Sequence, residues 1–298
     1  MTVGAVLRLL VVMSLWAACF PLITIGLDLA PHLAFATLRA ALAGLCLLLL
    51  GAFFGRPVPR GLRSWILVGV AALGATTFGF FGMFHAAEYV SPGLATVIAN
   101  TQPILAAILA HAFLGERLMA TGKFGLIVGL AGIVTIALPS IVSGDMQGYT
   151  LGIAYVALAA TGVAAGNIAI KQLAGHVDAV MAMGFQLALG AAPLALLSVL
   201  TEDISTLAWS MEFVVILVVL SVLGTALVFW LWFAILEQVG LNRANAFTFL
   251  VPTIGLVIGA TLFEERLGWM QIAGTGLVLT GIILVERDGS RRERSRNI

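Results

Sequence analysis

The chain has 298 residues, of which 61% are hydrophobic and 10% charged, with a formal net charge of +1 and two cysteines. A soluble domain carries about 25% charged residues, and a chain this apolar would present large apolar patches to water, so an ordinary soluble fold is excluded. A spanning helix takes roughly 20 apolar residues, which gives room for about ten spans with short loops and no separate soluble domain.

Taken in chain order, the apolar runs predict helices at 4–27, 32–54, 64–87, 92–112, 120–139, 149–173, 178–200, 211–236, 242–262 and 269–286. The breaks between them have physical causes. Ala30-Pro31, Arg56-Pro57-Val58-Pro59 and Ser91-Pro92-Gly93 disfavour helical continuation. Gly144-Asp145, Gly175-His176 and Glu202-Asp203 supply polar turns. The first run, with Arg8 ahead of apolar sequence and Trp16-Ala17-Ala18-Cys19, has some features of a cleaved leader. It is read as a span, because the repeat described below needs it. Cys19 and Cys46 both fall inside apolar runs, so reduced thiols are expected.

The basic residues set the expected topology. With the N-terminus in the cytoplasm, the inner side collects Arg8, Arg56, Arg60, Arg63, Arg117, Lys123, Lys171 and Arg243, together with Arg287, Arg291, Arg292, Arg294 and Arg296 of the tail. The outside receives only Arg266, and Arg39 lies within a helix. Both termini are expected to be cytoplasmic.

Residues 85–134 align without gaps on 234–283 at an offset of 149 (88 to 237): Glu88 meets Glu237, Ala95 meets Ala244 and Pro103 meets Pro252. Glu116-Arg117-Leu118 meets Glu265-Arg266-Leu267, and Gly125 and Gly132 meet Gly274 and Gly281. Five helices per copy is an odd number, so the second copy enters the membrane inverted. The expected fold is an all-α membrane protein of ten transmembrane helices, with repeats at 1–140 and 148–287 and a basic tail at 288–298. Inverted repeats of this kind build secondary transporters, with the site near the midplane between the halves.

The Glu-Arg-Leu that ends the fourth helix and its copy after the ninth, the proline before each, the glycine-rich fifth and tenth helices, Trp16 and Arg39 make the chain resemble EamA-type carriers of the drug/metabolite transporter superfamily. The resemblance spans essentially the whole chain. The Trp16-to-Phe20 and Asn167-to-Lys171 segments are most similar to bacterial aromatic amino-acid exporters of the YddG type. The resemblance implies a multi-pass carrier of the bacterial inner membrane.

Helical spacing suggests a cavity lining. Phe78, Phe81, His85 and Glu88 share one stripe of the third helix, and Trp230, Phe233 and Glu237 form the matching stripe on the eighth. Trp16 and Phe20 lie one turn apart, as do Asn167 and Lys171. Aromatic walls with a few amides suit a flat apolar group on a small polar head, though aromatics at this spacing also pack against lipid or a neighbouring helix. Asn100 and Asn167, near the middle of their helices, suit either a substrate carboxylate or ammonium, or a tie between helices. Gln102 and Gln186 read as interhelical ties, and His85 as an interfacial histidine. For Arg39 a structural role is favoured over attraction of a carboxylate: it would hold a backbone carbonyl or pair with Asp28. Lys171 is balanced between snorkelling and substrate attraction. Pro103 and Pro252 break the helical ladder at matched places and are read as gating kinks. Gly125/Gly129, Gly162/Gly166 and Gly255/Gly259 are spaced for close helix contact.

No Walker A, HExxH or Cys/His cluster occurs, so no ATPase, metalloenzyme or cofactor is expected. No carboxylate lies in mid-helix, which favours facilitated flux over proton coupling, with Glu237 as the reservation. The expected partners are a small-molecule substrate and the bilayer, with no nucleic acid, and a monomer suffices. The sequence therefore points to an exporter of small amphiphilic metabolites, most of all aromatic amino acids, working by alternating access. A broad proton-driven drug or metabolite exporter is the alternative. A sugar-phosphate antiporter would want more basic residues at the midplane, and an intramembrane enzyme would need a catalytic pair at depth. A purely structural protein would not need matched prolines around a polar cavity.

Overall fold

The computed structural model describes residues 1–86, 89–90, 92–142, 149–262 and 268–296. Glu88, Asp145, Glu265 and Arg266 lie outside them. Among the described residues there is no strand, and ten helices are long and apolar enough to cross a bilayer. They are α1 (Val3–Leu27), α2 (His32–Phe53), α3 (Leu62–Ala86), α4 (Ala95–Leu114), α5 (Ala120–Leu138), α6 (Thr150–Leu173), α7 (Ala179–Thr201), α8 (Met211–Gln238), α9 (Leu241–Ile258) and α10 (Trp269–Gly289). Helices satisfy their own backbone groups, the condition for crossing hydrocarbon. Leu49, Phe53, Ile108, Phe124, Val199 and Ile272 project from the bundle, a surface suited to lipid and not to water.

The first N–H groups of a helix have no intrahelical acceptor. Carboxylates from distant helices supply several. Glu202, after α7, accepts from Leu33 N at 2.7 Å and Ala34 N at 2.8 Å and so caps α2. Glu116, after α4, accepts from Leu241 N at 2.9 Å and Asn242 N at 3.1 Å at the start of α9. Asp288 of α10 accepts from Met119 N and Gly122 N at the entry to α5. Each carboxylate also meets the positive end of a helix dipole. Glu116 therefore fixes a helix end. The N-terminal ammonium donates to Glu286 Oε1 at 3.1 Å, and Arg243 donates to the same carboxylate, so the start of α1 and the end of α10 meet at one end of the bundle.

Glycines set the tightest packing. A methyl on Gly281 would sit 2.6 Å from the Gly125 carbonyl oxygen, and one on Gly132 would sit 2.7 Å from that of Gly274. The offset of 149 carries 125 to 274 and 132 to 281, so each contact maps onto the other with partners exchanged. Gly162 and Gly166 similarly admit Gly74 and Ala75 of α3. Gly255 has open space where a Cβ would lie, so its spacing does not mark a close contact.

Four irregularities bend the regular picture. Helix α3 is π-helical over Ala72–Phe78 and α8 over Val222–Leu227, and the offset carries 73–78 onto 222–227. The fourth span is split at Asn100–Thr101, between helices Pro92–Ala99 and Gln102–Leu114. The ninth passes through a 3-10 turn, Phe247–Phe249, between Leu241–Ala246 and Leu250–Leu262. The fourth and ninth helices expected as continuous are thus each interrupted just before Pro103 and Pro252.

Each π segment exposes a threonine to a polar side chain of the other half. Arg39 Nε of α2 donates to Thr225 Oγ1 at 2.8 Å, and Gln186 Nε2 of α7 donates to Thr76 Oγ1 at 3.0 Å. Thr76 and Thr225 are themselves 149 apart. Arg39 Nη2 also reaches the Gly224 carbonyl at 3.3 Å, and its guanidinium carbon lies 5.1 Å from the Phe80 ring centroid. A backbone carbonyl holds this buried cation, as one sequence reading proposed; the other reading, a pairing with Asp28, is not the arrangement found. Gln186 ties two helices as expected, whereas Gln102 Nε2 is buried without a partner.

Candidate functional site

The sequence candidates separate into two groups along α6. Toward the end that carries the chain termini, Asn167 is 5% exposed. Its Oδ1 accepts from Trp232 Nε1 of α8 at 2.9 Å, and its Nδ2 donates to Asn245 Oδ1 of α9 at 3.4 Å. The Trp232 ring packs against Trp16 of α1, with centroids 5.6 Å apart and planes inclined at 51°. Four helices, drawn from both halves, thus meet at two indoles and two amides. One turn further along α6, Lys171 Nζ donates to the carbonyls of Leu236 and, at 2.9 Å, Val239, where α8 ends and the last carbonyls lack intrahelical donors. Glu237 accepts from Gly175 N at 3.3 Å just beyond.

The second group lies twelve residues back along α6, about 18 Å at the helical rise. His85 stacks on Phe81 with centroids 4.5 Å apart, and Tyr155 of α6 meets the edges of both. His32 packs edge-on against His85 at 4.4 Å and lies 3.5 Å from Glu202. Beside them a cavity of about 560 Å³ is lined by Asp28, His32, Phe84, Glu202 and Asp203. Asp203, in the loop after α7, accepts from the Ser205 hydroxyl at 2.6 Å and from Ser205 N at 3.0 Å, which holds its carboxyl below the usual range.

Other candidates stand apart from both groups. Phe20 and Phe78 are exposed, and Trp230 borders an outer groove with Cys46, Leu50 and Phe54. Phe233 is fully buried in the apolar core. Asn100 Nδ2 donates to Thr96 O of its own helix at 2.8 Å, which ties the amide to the chain break. Pro103 is buried and Pro252 half-buried, each following its interruption. Trp232, Asn245 and Tyr155 are absent from the sequence-derived lining. Phe229, Trp230, Trp232 and Phe233 fall within five positions and spread over about 160° of the helix, with Trp230 and Trp232 at its two edges, so the stripe through Trp230, Phe233 and Glu237 leaves Trp232 out.

Residues 3–138 and 150–287 each match the EamA-like transporter family. The chain belongs to that family. A WAT1-related chloroplastic protein of Arabidopsis thaliana is 30% identical over 84% of this chain, and the chain spans only 61% of that relative's length. An Escherichia coli K12 protein named "Probable amino-acid metabolite efflux pump" is 29% identical over 94% of this chain and 93% of its own. A crystal structure of another protein superposes with a TM-score of 0.83 over 98% of this chain and 100% of its own, at 21% identity, a likeness of fold alone. This EamA-like chain is a multi-pass membrane protein of a transporter family, not an enzyme.

Proposed function

We propose that this EamA-like protein exports amino acids with apolar, above all aromatic, side chains across the bacterial inner membrane. The repeats at 1–140 and 148–287 are taken as inverted copies that rock about the interrupted α4 and α9 near Pro103 and Pro252, with both termini in the cytoplasm. The observation that carries this reading is the Trp16–Trp232–Asn167–Asn245 cluster. Indoles offer a flat apolar wall, amides offer uncharged hydrogen bonds, and together they suit a zwitterion with a ring. The cluster joins α1 with α6, α8 and α9, so movement of one half against the other would open it. The name of the Escherichia coli relative agrees with this substrate class.

Every Asp and Glu among the described residues lies in a loop or within about one turn of a span end. A proton-driven carrier needs an acid that changes charge at depth, so facilitated flux is the mechanism favoured. Cells that overproduce the protein are expected to grow in p-fluorophenylalanine at concentrations that arrest control cells, and to lose preloaded labelled phenylalanine faster. Equal growth and equal loss in both strains would contradict export.

A further inference from the structure

The polar cluster has a direction, and one donor-only group sets it. Indole Nε1–H donates and cannot accept, so the Asn167 atom 2.9 Å from Trp232 is the carbonyl oxygen. The group that Asn167 turns toward Asn245 is therefore its N–H donor, which meets Asn245 Oδ1 at 3.4 Å. Asn245 is fixed in turn. Its Nδ2 faces away from Asn167, is buried and has no hydrogen-bond partner, in a residue 1% exposed. The sequence of bonds runs from the indole through two amides, each polarising the next, and ends on a buried donor. An interior donor left without an acceptor is costly.

We infer that Asn245 Nδ2 is the anchor for the carboxylate of the transported molecule. The inference rests on the amino-acid reading above and adds the atom that recognises the head group. A donor calls for an acceptor, and of the two charged ends of an amino acid only the carboxylate accepts. The ammonium cannot take this place. Trp232 and Asn167 act behind Asn245 as positioning residues, holding its amide with the donor turned away from them.

The test compares phenylalanine with phenethylamine, which lacks the carboxylate, in proteoliposomes of the wild type, Asn245→Ala and Asn245→Leu. Leucine keeps the branching and heavy-atom count of asparagine but is larger, and alanine is smaller, so the two variants disturb packing in opposite directions and at least one is expected to keep the wild-type melting temperature. The expected result is a KM for phenylalanine raised at least about tenfold, the scale of one lost hydrogen bond to a charged group, with inhibition by phenethylamine unchanged. An equal change for both compounds, or none for either, would overturn the inference while leaving amino-acid transport standing. A wild type that carries no phenylalanine would refute the amino-acid reading instead. Thermal stabilisation by 3-phenylpropionate then decides the anchor: stabilisation lost in Asn245→Leu supports it, and none in the wild type refutes it.

Discussion

Gly281→Leu is expected to abolish the folded protein, whereas Gly276→Leu on the same helix is expected to leave it intact. A Cβ at Gly281 would lie 2.6 Å from Gly125 O and from Gly129 N, both backbone atoms that no rotamer change can move, while Gly276 has nothing within 4 Å. Overpacking that side chains can absorb costs about 1–3 kcal/mol. Here α5 and α10 must separate, and the Gly132–Gly274 contact goes with them. A clash that parts two helices is expected to exceed a net stability of about 5–15 kcal/mol, so monodisperse protein should be lost. Fluorescence-detected size exclusion of detergent extracts checks this. A symmetric Gly281→Leu peak at wild-type yield would show that α5 and α10 do not pack through their glycines.

The second large effect is expected at Arg39. Arg39→Ala removes a side chain 5% exposed that bridges α2 to α8 through Thr225 and the Gly224 carbonyl and covers Phe80 of α3. A cavity and unpaired acceptors together should cost about 3 kcal/mol, a fall in melting temperature on the order of 10 °C for a chain of this size. Arg39→Met should fall less far, because it keeps most of the volume and removes a cation that is expensive to bury. Gln186→Ala, at the matched contact, loses one neutral hydrogen bond to Thr76 and should cost less than Arg39→Ala. Melting temperatures of the three variants in one detergent test the order. A Gln186→Ala effect as large as that of Arg39→Ala would contradict the importance given to the guanidinium.

The ten spans were legible because each is a long apolar run closed by proline, glycine or charge, and hydrocarbon leaves the backbone little choice but helix. Proline also marked where α4 and α9 would be disturbed, though the actual breaks fall a few residues ahead, at Asn100–Thr101 and Phe247–Phe249. The π segments were not legible. Widening a turn depends on what packs beside it, and Ala-Leu-Gly-Ala-Thr-Thr-Phe fits an ordinary helix equally well.

The site divides in the same way. Asn167 could be found from the cost of an amide at depth, and Trp16 from its place on the first helix. Asn245 could not, because in Leu241–Ala246 it reads as one more polar residue at a helix start. Only the fold brings it to Asn167, 78 positions away. Trp230, Phe233 and Glu237 follow the stripe that matches the third helix, and Trp232 lies off it; its bond to the Asn167 carbonyl is a contact between distant helices that spacing along α8 does not carry.

Flux of labelled phenylalanine into proteoliposomes of the purified protein, with and without a pH gradient and beside a lipophilic cation, tests facilitated amino-acid export directly. Phenylalanine flux is expected to be unchanged by the gradient and reduced in Asn167→Ala, with no cation flux. Cation flux alone, or phenylalanine flux that disappears without the gradient, would contradict it and point to a proton-driven exporter acting through Glu237.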